Sequence, residues 1–105
     1  MDESRYEQLA GDALSRVMDL FEDVEPEDAD VDPSGDVIRI ALRNGGHIVV
    51  NTQRAAHQIW LAGAQRGWHF SYDEASERWM DDRGEGDELF ATVRTLVRDA
   101  IGLDL

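Results

Sequence analysis

The N-terminal segment carries apolar residues at the spacing of an amphipathic helix. They recur every three or four positions, at Tyr6, Leu9, Ala10, Ala13, Leu14, Val17, Phe21 and Val24, which places them on one helix face. Ser4 and Glu7 fit a capping box at the start of this helix, since the acid can reach back to the backbone amide of the cap. Pro26 and the crowded acids around it predict that the helix ends between Asp23 and Glu25.

The middle of the chain alternates apolar and polar residues at strand spacing. The pattern predicts about six short strands, at Ala29–Asp32, Val37–Arg43, His47–Asn51, Gln58–Ala62, Trp68–Tyr72 and Arg78–Asp81. The positions expected to face the core include Ile38, Ile40, Leu42, Ile48, Val50, Ile59 and Leu61. Asn44-Gly45 is a strong hairpin signal, because both residues tolerate positive φ. The short connections between the strands predict an antiparallel meander.

The C-terminal segment predicts a second helix after a break at Arg83–Gly86. Asp87 is its predicted N-cap and Gly102 its predicted stop. Its apolar stripe consists of Leu89, Phe90, Val93, Leu96, Val97, Ala100 and Ile101. The order of helix, about six strands and helix predicts one domain over residues 1–105, an α+β two-layer sandwich. Both helices then cover one face of the sheet, so the other face must meet solvent or a partner.

Charge changes this picture most between Glu22 and Asp32. This segment reads EDVEPEDADVD, and seven of its eleven residues are carboxylates. The whole chain has 23 acids and 10 bases, all of them Arg, for a net charge of −13. Nucleic acids and anionic membranes are therefore disfavoured as partners. Ala29 and Val31 alternate with acids, which predicts an ordered acidic strand rather than a disordered tail.

Composition also excludes several kinds of chemistry. The chain has no Cys, so it has no disulfide, thiolate metal site or cysteine nucleophile. It has no Lys for a Schiff base, no glycine-rich phosphate loop and no local signature of a catalytic triad. The polar, acidic N-terminus is unlike a signal or transit peptide, and no apolar run could span a bilayer. We therefore expect a soluble cytoplasmic protein that is not an enzyme.

The central residues carry a recognisable motif. Asn51–Ala62 reads NTQRAAHQIWLA and resembles the central motif of the frataxin family. Gly67–Phe70 and Trp79–Arg83 are similar to the next two strands of that family, and the element order agrees along the whole chain. The short N-terminus resembles the bacterial branch, the CyaY type. The chain departs from the family where Ala55 or Ala56 stands in place of a usual Pro.

The resemblance implies a frataxin fold and a role in iron–sulfur cluster assembly. It implies weak binding of Fe²⁺ or Fe³⁺ on an acidic ridge, carried over to Asp19, Glu22, Asp23, Glu25, Asp28, Asp30 and Asp32. It also implies docking on the cysteine desulfurase and its scaffold protein through three sheet residues expected to be exposed, Asn51, Gln53 and Trp60. We expect a monomer, with metal-induced oligomers as a second state.

The chemistry of the ridge residues is consistent with labile metal binding. Carboxylates are hard oxygen ligands that suit iron and also Mn²⁺, Ca²⁺ and Mg²⁺. Asp19, Glu22 and Asp23 are spaced to share a helix face. Asp30 and Asp32 share a strand face with Asp28, with successive acids about 6.5 Å apart. Neither spacing closes a coordination shell, so we expect hydrated binding that discriminates poorly among hard cations.

Other readings of these features remain open. A metal-independent acidic inhibitor or nucleic-acid mimic would use the same carboxylates to fill a basic cleft of a partner. A calcium-buffer protein would need tighter binding than an open ridge offers. A solvated acidic face with no ligand is the commonest fate of such clusters. Trp60 is predicted to be an interface anchor, and the alternative is an indole lying flat over Arg39 or His47.

Overall fold

Two helices flank a six-stranded sheet in this computed structural model, which describes residues 1–105. The helices are α1 (Glu3–Asp19) and α2 (Leu89–Ile101). The strands are β1 (Ala29–Ser34), β2 (Val37–Leu42), β3 (His47–Gln53), β4 (Gln58–Gly63), β5 (Arg66–Asp73) and β6 (Arg78–Asp81). Adjacent strands pair antiparallel in chain order. The predicted α+β meander is confirmed, and neither helix is long and apolar enough to cross a membrane.

The core lies between the helices and one face of the sheet. Alternate residues of β2, β3 and β4 point into it, and the predicted inward positions are all buried: Ile38, Ile40, Leu42, Ile48, Val50, Ile59 and Leu61. The helices contribute a buried stripe each, made of Tyr6, Ala10, Ala13, Leu14, Val17, Leu89, Phe90, Val93, Val97 and Ile101. Trp68, Phe70 and Trp79 are buried as well, whereas Tyr72 packs partly exposed against Trp79. The other sheet face, hereafter the open face, carries the polar positions of the strands.

The helix ends differ from prediction. Asp2 caps α1 by accepting a hydrogen bond from the Arg5 amide at 2.8 Å, so the predicted Ser4 cap is wrong and Ser4 lies inside the helix. Asp2 competes successfully because an aspartate carboxylate is at least as good a cap as a serine hydroxyl. The helix also stops at Asp19, earlier than predicted, and i→i−3 backbone bonds continue from there to Glu22.

The cap of helix α2 lies one residue after its predicted position. Glu88 is the cap, and its carboxylate accepts bonds from the amides of Phe90 and Ala91 at 2.9 and 3.0 Å. Asp87 was predicted for this role, but its carboxylate accepts the indole N–H of Trp68 at 3.2 Å. Gly102 ends the helix with a φ of 69°, as predicted.

Several strands run past their predicted ends and shorten the loops. Strand β1 includes Pro33 and Ser34, which an edge strand tolerates because the proline nitrogen need not donate to a neighbour. Strands β4 and β5 are joined by only Ala64 and Gln65, with φ values of 51° and 63°. Two-residue hairpin turns favour positive φ there, and usually recruit Gly or Asn. Sequence rules therefore missed this turn, whereas the Asn44-Gly45 turn is confirmed.

The connection between β3 and β4 forms a single 3₁₀ turn at Arg54–Ala56. Arg54 reaches Glu3, Glu7 and Asp36 at 3.7, 3.5 and 3.8 Å, which ties the turn to α1 and to the β1–β2 loop. His57 follows with a φ of 52° and stacks on the Tyr6 ring at 4.8 Å. These contacts hold the turn in place without the proline that the resemblance led us to expect.

Candidate functional site

The acidic ridge, defined as the seven predicted metal-ligand carboxylates, runs from the end of α1 along the first edge of the sheet. Its members are Asp19, Glu22, Asp23, Glu25, Asp28, Asp30 and Asp32. Only Asp19 belongs to α1, and Glu22 and Asp23 lie on the turns that follow. The expectation that these three share a helix face is therefore wrong, because the helix ends three residues before Glu22.

Four ridge acids line one groove at the end of α1. Asp19, Asp23, Glu25 and Asp28 surround a shallow space of about 280 Å³, together with Asp104 from the C-terminal segment. The backbone holds this turn closed, because the Glu25 carbonyl accepts bonds from the amides of Asp28 and Ala29 at 2.9 and 3.1 Å. Asp104 was not predicted, since it is remote from the ridge in sequence. The groove is thus lined by acidic residues from three segments, although no three of their oxygens lie within 4.8 Å of one another.

The remaining strand acids lie on the exposed edge of the sheet. Strand β1 pairs only with β2. Asp30 and Asp32 are exposed on it and alternate with the buried Ala29 and the partly buried Val31. The predicted alternation of this segment is confirmed. Asp32 stands opposite Arg39 in the strand register, yet no ion pair within 4.0 Å joins them.

One ridge acid is neutralised internally. Arg43 binds the Asp28 carboxylate at 2.8 Å, and its other terminal nitrogen donates to the Ile101 carbonyl at the end of α2. The other six ridge acids take part in no ion pair within 4.0 Å. Two carboxylates about 6.5 Å apart repel by roughly 0.6 kcal/mol in water. The ridge therefore offers exposed oxygen ligands with uncompensated charge, but no closed cage around a cation.

The open face carries a row of polar and aromatic side chains across three strands. Asn51, Trp60 and His69 are neighbours in the registers of β3, β4 and β5. The Trp60 indole stacks on the His69 ring at 4.2 Å with an angle of 14°, and its N–H donates to the Gln58 side chain at 2.9 Å. Trp60 is therefore half-buried and stacked face to face with His69. The expected exposed indole is wrong, and the ring that it stacks on is His69 rather than Arg39 or His47.

The other two predicted docking residues lie near Trp60 on the same face. Asn51 and Gln53 alternate along β3, and both are half-buried rather than exposed as expected. The Asn51 amide donates to the Thr52 carbonyl at 3.1 Å. Gln53 stands opposite Gln58, whose amide in turn donates to Ser71 and Asp82 at 3.1 Å each. The structure thus brings the three residues together on a surface whose side chains hold one another in place.

Ionisable groups also fasten α1 to the sheet. Burial raises the pKa of the Tyr6 phenol, and its hydroxyl donates to the Gln58 carbonyl at 2.7 Å. On the surface, hydrogen bonding and charge from Arg5 lower the pKa of the Glu74 carboxyl. These contacts link the N-terminal helix to β4 and to the β5–β6 turn. They fix the first turns of α1 against the sheet.

A second group of carboxylates lies away from the ridge and was not predicted. Asp81 ends β6, and Glu85 and Asp87 belong to the loop before α2; we call these three residues the Asp81 cluster. One oxygen from each lies within 4.8 Å of the others. The signal in the sequence was the alternation of acids and glycines in DDRGEGD, residues 81–87. It was interpreted only as a break in the sheet and a helix cap.

The helices, the meander and the acidic edge agree with a known family. Residues 1–103 match the family model described as Frataxin-like domain. The chain belongs to the frataxin-like family. The resemblance read from Asn51–Ala62 is thereby confirmed. Among the relatives of this frataxin-like chain are proteins named iron-sulfur cluster assembly protein CyaY, which agrees with the expected bacterial CyaY type.

These relatives match over nearly their full length. The CyaY protein of Azotobacter vinelandii is 34% identical over 105 residues, covering 100% of this chain and 94% of that protein. The CyaY protein of Pseudomonas aeruginosa is 31% identical over 105 residues, covering 100% of this chain and 95% of that protein.

Solved frataxin structures confirm the predicted fold. The frataxin of Psychromonas ingrahamii superposes with a TM-score of 0.88 at 27% identity, covering 100% of this chain and 96% of that one. A trimeric yeast frataxin from Saccharomyces cerevisiae, described as a ferrous complex, gives 0.76 at 27% identity, covering 90% of this chain and 87% of that one.

Proposed function

We propose that this frataxin-like chain is an iron-binding adaptor of iron–sulfur cluster assembly. The observation that carries the proposal is the set of six ridge carboxylates that are exposed or at the rim of a groove and lack an internal ion pair. Relatives named for iron–sulfur cluster assembly, and a structural neighbour described as a ferrous complex, support it. The chain acts by binding and positioning rather than by catalysis.

The donor set of the ridge fits iron as a weakly held cargo. All its ligands are carboxylate oxygens, which suit hard cations such as Fe²⁺ and Fe³⁺. Asp19, Asp23 and Glu25 line the groove without forming a compact cluster, whereas Asp30 and Asp32 line up along β1. Most of the coordination sphere must therefore come from water, so iron exchanges readily and Mn²⁺ or Ca²⁺ can replace it. Asp28 contributes less, because Arg43 already balances its charge.

Paramagnetic NMR tests the site of iron binding. Fe²⁺ or Co²⁺ added anaerobically to ¹⁵N-labelled protein should selectively broaden amides from Asp19 to Asp32. The variant Asp30→Asn with Asp32→Asn should lose broadening on β1, whereas the matched control Asp12→Asn with Asp99→Asn removes the same charge elsewhere and should keep it. Uniform shifts that simple salt reproduces would favour the metal-free acidic inhibitor instead.

We further propose that the ridge and the open face together dock on the cysteine desulfurase–scaffold complex. The ridge charge would attract a basic groove on that partner. The row containing Asn51 and Trp60, with Gln53 beside it, would then provide a contact whose indole is already immobilised on His69. Pre-organised side chains lose little entropy on binding, which favours their use as anchors. Iron and the partner would compete for the ridge carboxylates.

Binding to the purified desulfurase–scaffold complex tests this docking. Trp60→Ala should raise the dissociation constant about ten-fold or more, as expected for an interface anchor. Asp30→Ala with Asp32→Ala should mainly slow association and reduce its salt dependence. Tyr72→Ala, a partly buried aromatic outside the row, is the control for loss of packing. Equal affinity of the wild type and Trp60→Ala would count against the open face.

The oligomeric state is part of the same proposal. We propose a monomer that associates when metal neutralises the ridge, and the trimeric ferrous complex of the yeast relative supports this. Sedimentation velocity in chelator and then with stepwise Fe²⁺ should show one species converting to larger ones. A single species at every iron concentration would remove this part of the proposal.

A further inference from the structure

The carboxylate of Asp81 is buried without a hydrogen-bond partner. Its side chain has 0% exposed surface, and neither of its two oxygens accepts a hydrogen bond. Burying an ionised carboxylate is costly unless hydrogen bonds or an opposite charge compensate it. Buried polar atoms without partners are rare in native proteins, so each one needs a physical explanation.

Arg83 supplies only part of that compensation. Its Nε lies 3.6 Å from the Asp81 Oδ2, within ion-pair range but too far for a hydrogen bond. Its terminal nitrogen is engaged elsewhere, donating to the Gly67 carbonyl at 2.7 Å. The guanidinium is also half exposed at 49%, which weakens its attraction through solvent screening. Asp81 therefore retains two oxygens that can bind another group.

Two further carboxylates face the same place. Glu85 and Asp87 each bring an oxygen within 4.8 Å of the Asp81 oxygen and of each other. Asp87 is held by the Trp68 indole N–H at 3.2 Å, and its carbonyl accepts the Asp81 amide at 2.8 Å. Gly84 and Gly86 flank Glu85 with φ values of 74° and 82°, so the backbone turns sharply on either side of it. Two negative groups thus lie close to one buried carboxylate.

We propose that Asp81, Glu85 and Asp87 bind a hard divalent cation of about the size of Ca²⁺, at a site separate from the acidic ridge. Three carboxylates are oxygen ligands of the kind such ions prefer. The cation supplies the positive charge that compensates the Asp81 carboxylate. Water molecules complete the coordination of the cation on the side of the exposed Glu85. This site goes beyond the proposed function, which needs only the ridge and the open face.

The spacing favours the larger hard cations. Three atoms no more than 4.8 Å apart all lie within about 2.8 Å of a common centre. Ca²⁺ binds oxygen at about 2.3–2.6 Å, whereas Mg²⁺ requires about 2.0–2.1 Å and near-ideal octahedral geometry. Holding Ca²⁺ therefore requires a smaller contraction of the cluster than holding Mg²⁺, and Glu85 is the exposed member of the three.

A cation here would join three parts of the fold. Asp81 is the last residue of β6, Glu85 lies in the loop, and Asp87 directly precedes the cap of α2. Binding would therefore order the loop and fasten the start of α2 to the edge of the sheet. We expect the site to stabilise the fold, because an ion that binds only the native state shifts the unfolding equilibrium.

Manganese titration of the full chain tests the proposal. Substoichiometric Mn²⁺ added to ¹⁵N-labelled protein at about 0.15 M salt, where surface charges are screened, should broaden the amides of residues 82–88 as a separate set from those of the ridge. Glu85→Gln should weaken binding at this loop by at least about ten-fold, the loss seen even for groups that only support a ligand. The matched control Glu77→Gln removes the same charge from an exposed turn and should change nothing there.

Further variants separate this site from the ridge. Asp30→Asn with Asp32→Asn should leave the broadening of residues 82–88 intact, whatever its effect on iron. Asp81→Asn should abolish that broadening; if this variant does not fold, Glu85→Gln decides alone. Ca²⁺ should also raise the Tm of Glu77→Gln by more than that of Glu85→Gln. The proposal is overturned if Mn²⁺ leaves residues 82–88 sharp, or if Glu85→Gln and Glu77→Gln bind it equally.

Discussion

The acidic ridge and the Asp81 cluster both gather carboxylates, but burial gives them opposite physical properties. Six ridge acids have no internal ion pair, and all six are exposed, so water and salt screen their repulsion. Asp81 has an inaccessible side chain, so bulk ions cannot approach it, and an unpaired buried charge costs several kcal/mol in general. The ridge is therefore suited to loose, exchangeable binding. The Asp81 cluster is suited to one ion with a fixed position.

This difference makes ionic strength a useful discriminator. Monovalent salt should reduce the repulsion among the ridge carboxylates almost as well as a divalent cation does, because these carboxylates are spread over an open surface. It should do little for Asp81, whose buried side chain is shielded from bulk monovalent ions and would be compensated by a divalent cation bound between the three carboxylates.

Arg43→Ala should have the largest effect on stability, a loss of about 2 kcal/mol. The change removes charge-assisted bonds to Asp28 and to the Ile101 carbonyl, and it makes Asp28 a seventh unpaired acid of the ridge. Urea denaturation at low salt and at high salt measures it, and the loss should be greater at low salt. Arg39→Ala is the control, because Arg39 lies opposite Asp32 without an ion pair. Equal losses in both variants would contradict the role given to Arg43.

Tyr6→Phe should cost about 1 kcal/mol near neutral pH, because a hydrogen bond to the Gln58 carbonyl is lost. Burial raises the pKa of Tyr6 in the folded state. Its contribution is therefore complete below the unfolded pKa of about 10 and is lost as the pH rises through the folded value. Urea midpoints from neutral to strongly alkaline pH should fall more steeply for the wild type than for Tyr6→Phe. Parallel curves would show that ionisation of this phenol is not coupled to unfolding.

Neutralising three acids of the groove should stabilise the fold by up to about 1 kcal/mol at low salt, given roughly 0.6 kcal/mol per close pair in water. The variant combines Asp19→Asn, Asp23→Asn and Glu25→Gln. Thermal melts should show the gain at low ionic strength and its loss at about 1 M salt, where the screening length is near 3 Å. A control with Asp12→Asn, Glu77→Gln and Asp99→Asn changes the net charge equally. If both triple variants are stabilised equally at low salt, the total charge rather than the ridge is responsible.

Glu74→Gln should have the smallest effect. Arg5 lowers the pKa of Glu74 through a hydrogen bond and charge on an exposed surface. The contribution of this pair is present above the unfolded pKa of the carboxyl and is lost as the pH falls through the lowered folded value. Glu74→Gln should therefore be slightly less stable than the wild type at neutral pH, and the two unfolding curves should converge as the pH falls toward about 3. A difference that persists unchanged at about pH 3 would show that the ionised pair is not its cause.

Sequence alone predicted what depends on neighbours along the chain. The strand period placed Ile38, Ile40 and Leu42 inside because every second residue of a strand faces the same way. The run of acids predicted the ridge because its members are close in sequence. The start of α1 was missed because Asp2 competes with Ser4 for the N-cap.

The rest depends on contacts between distant segments. The cap of α2 moved because Trp68, remote in sequence, takes the carboxylate of Asp87. Asp104 joins the groove only because the C-terminal segment returns to the end of α1. Trp60 is half-buried because the adjacent strand presents His69, whose ring stacks on the indole. No periodicity within one segment contains this information.

The edge position of β1 has a consequence for self-association. An unpaired strand edge is a template for pairing with another chain, and proteins protect such edges with charges and proline. Here Asp30, Asp32 and Pro33 provide that protection. Any cation that neutralises these acids also weakens the repulsion that opposes pairing between the β1 strands of two chains. Cation binding and self-association are therefore physically linked in this chain. Light scattering by the wild type should thus rise when Ca²⁺ is added. The variant Asp30→Asn with Asp32→Asn should scatter more light than the wild type even without Ca²⁺.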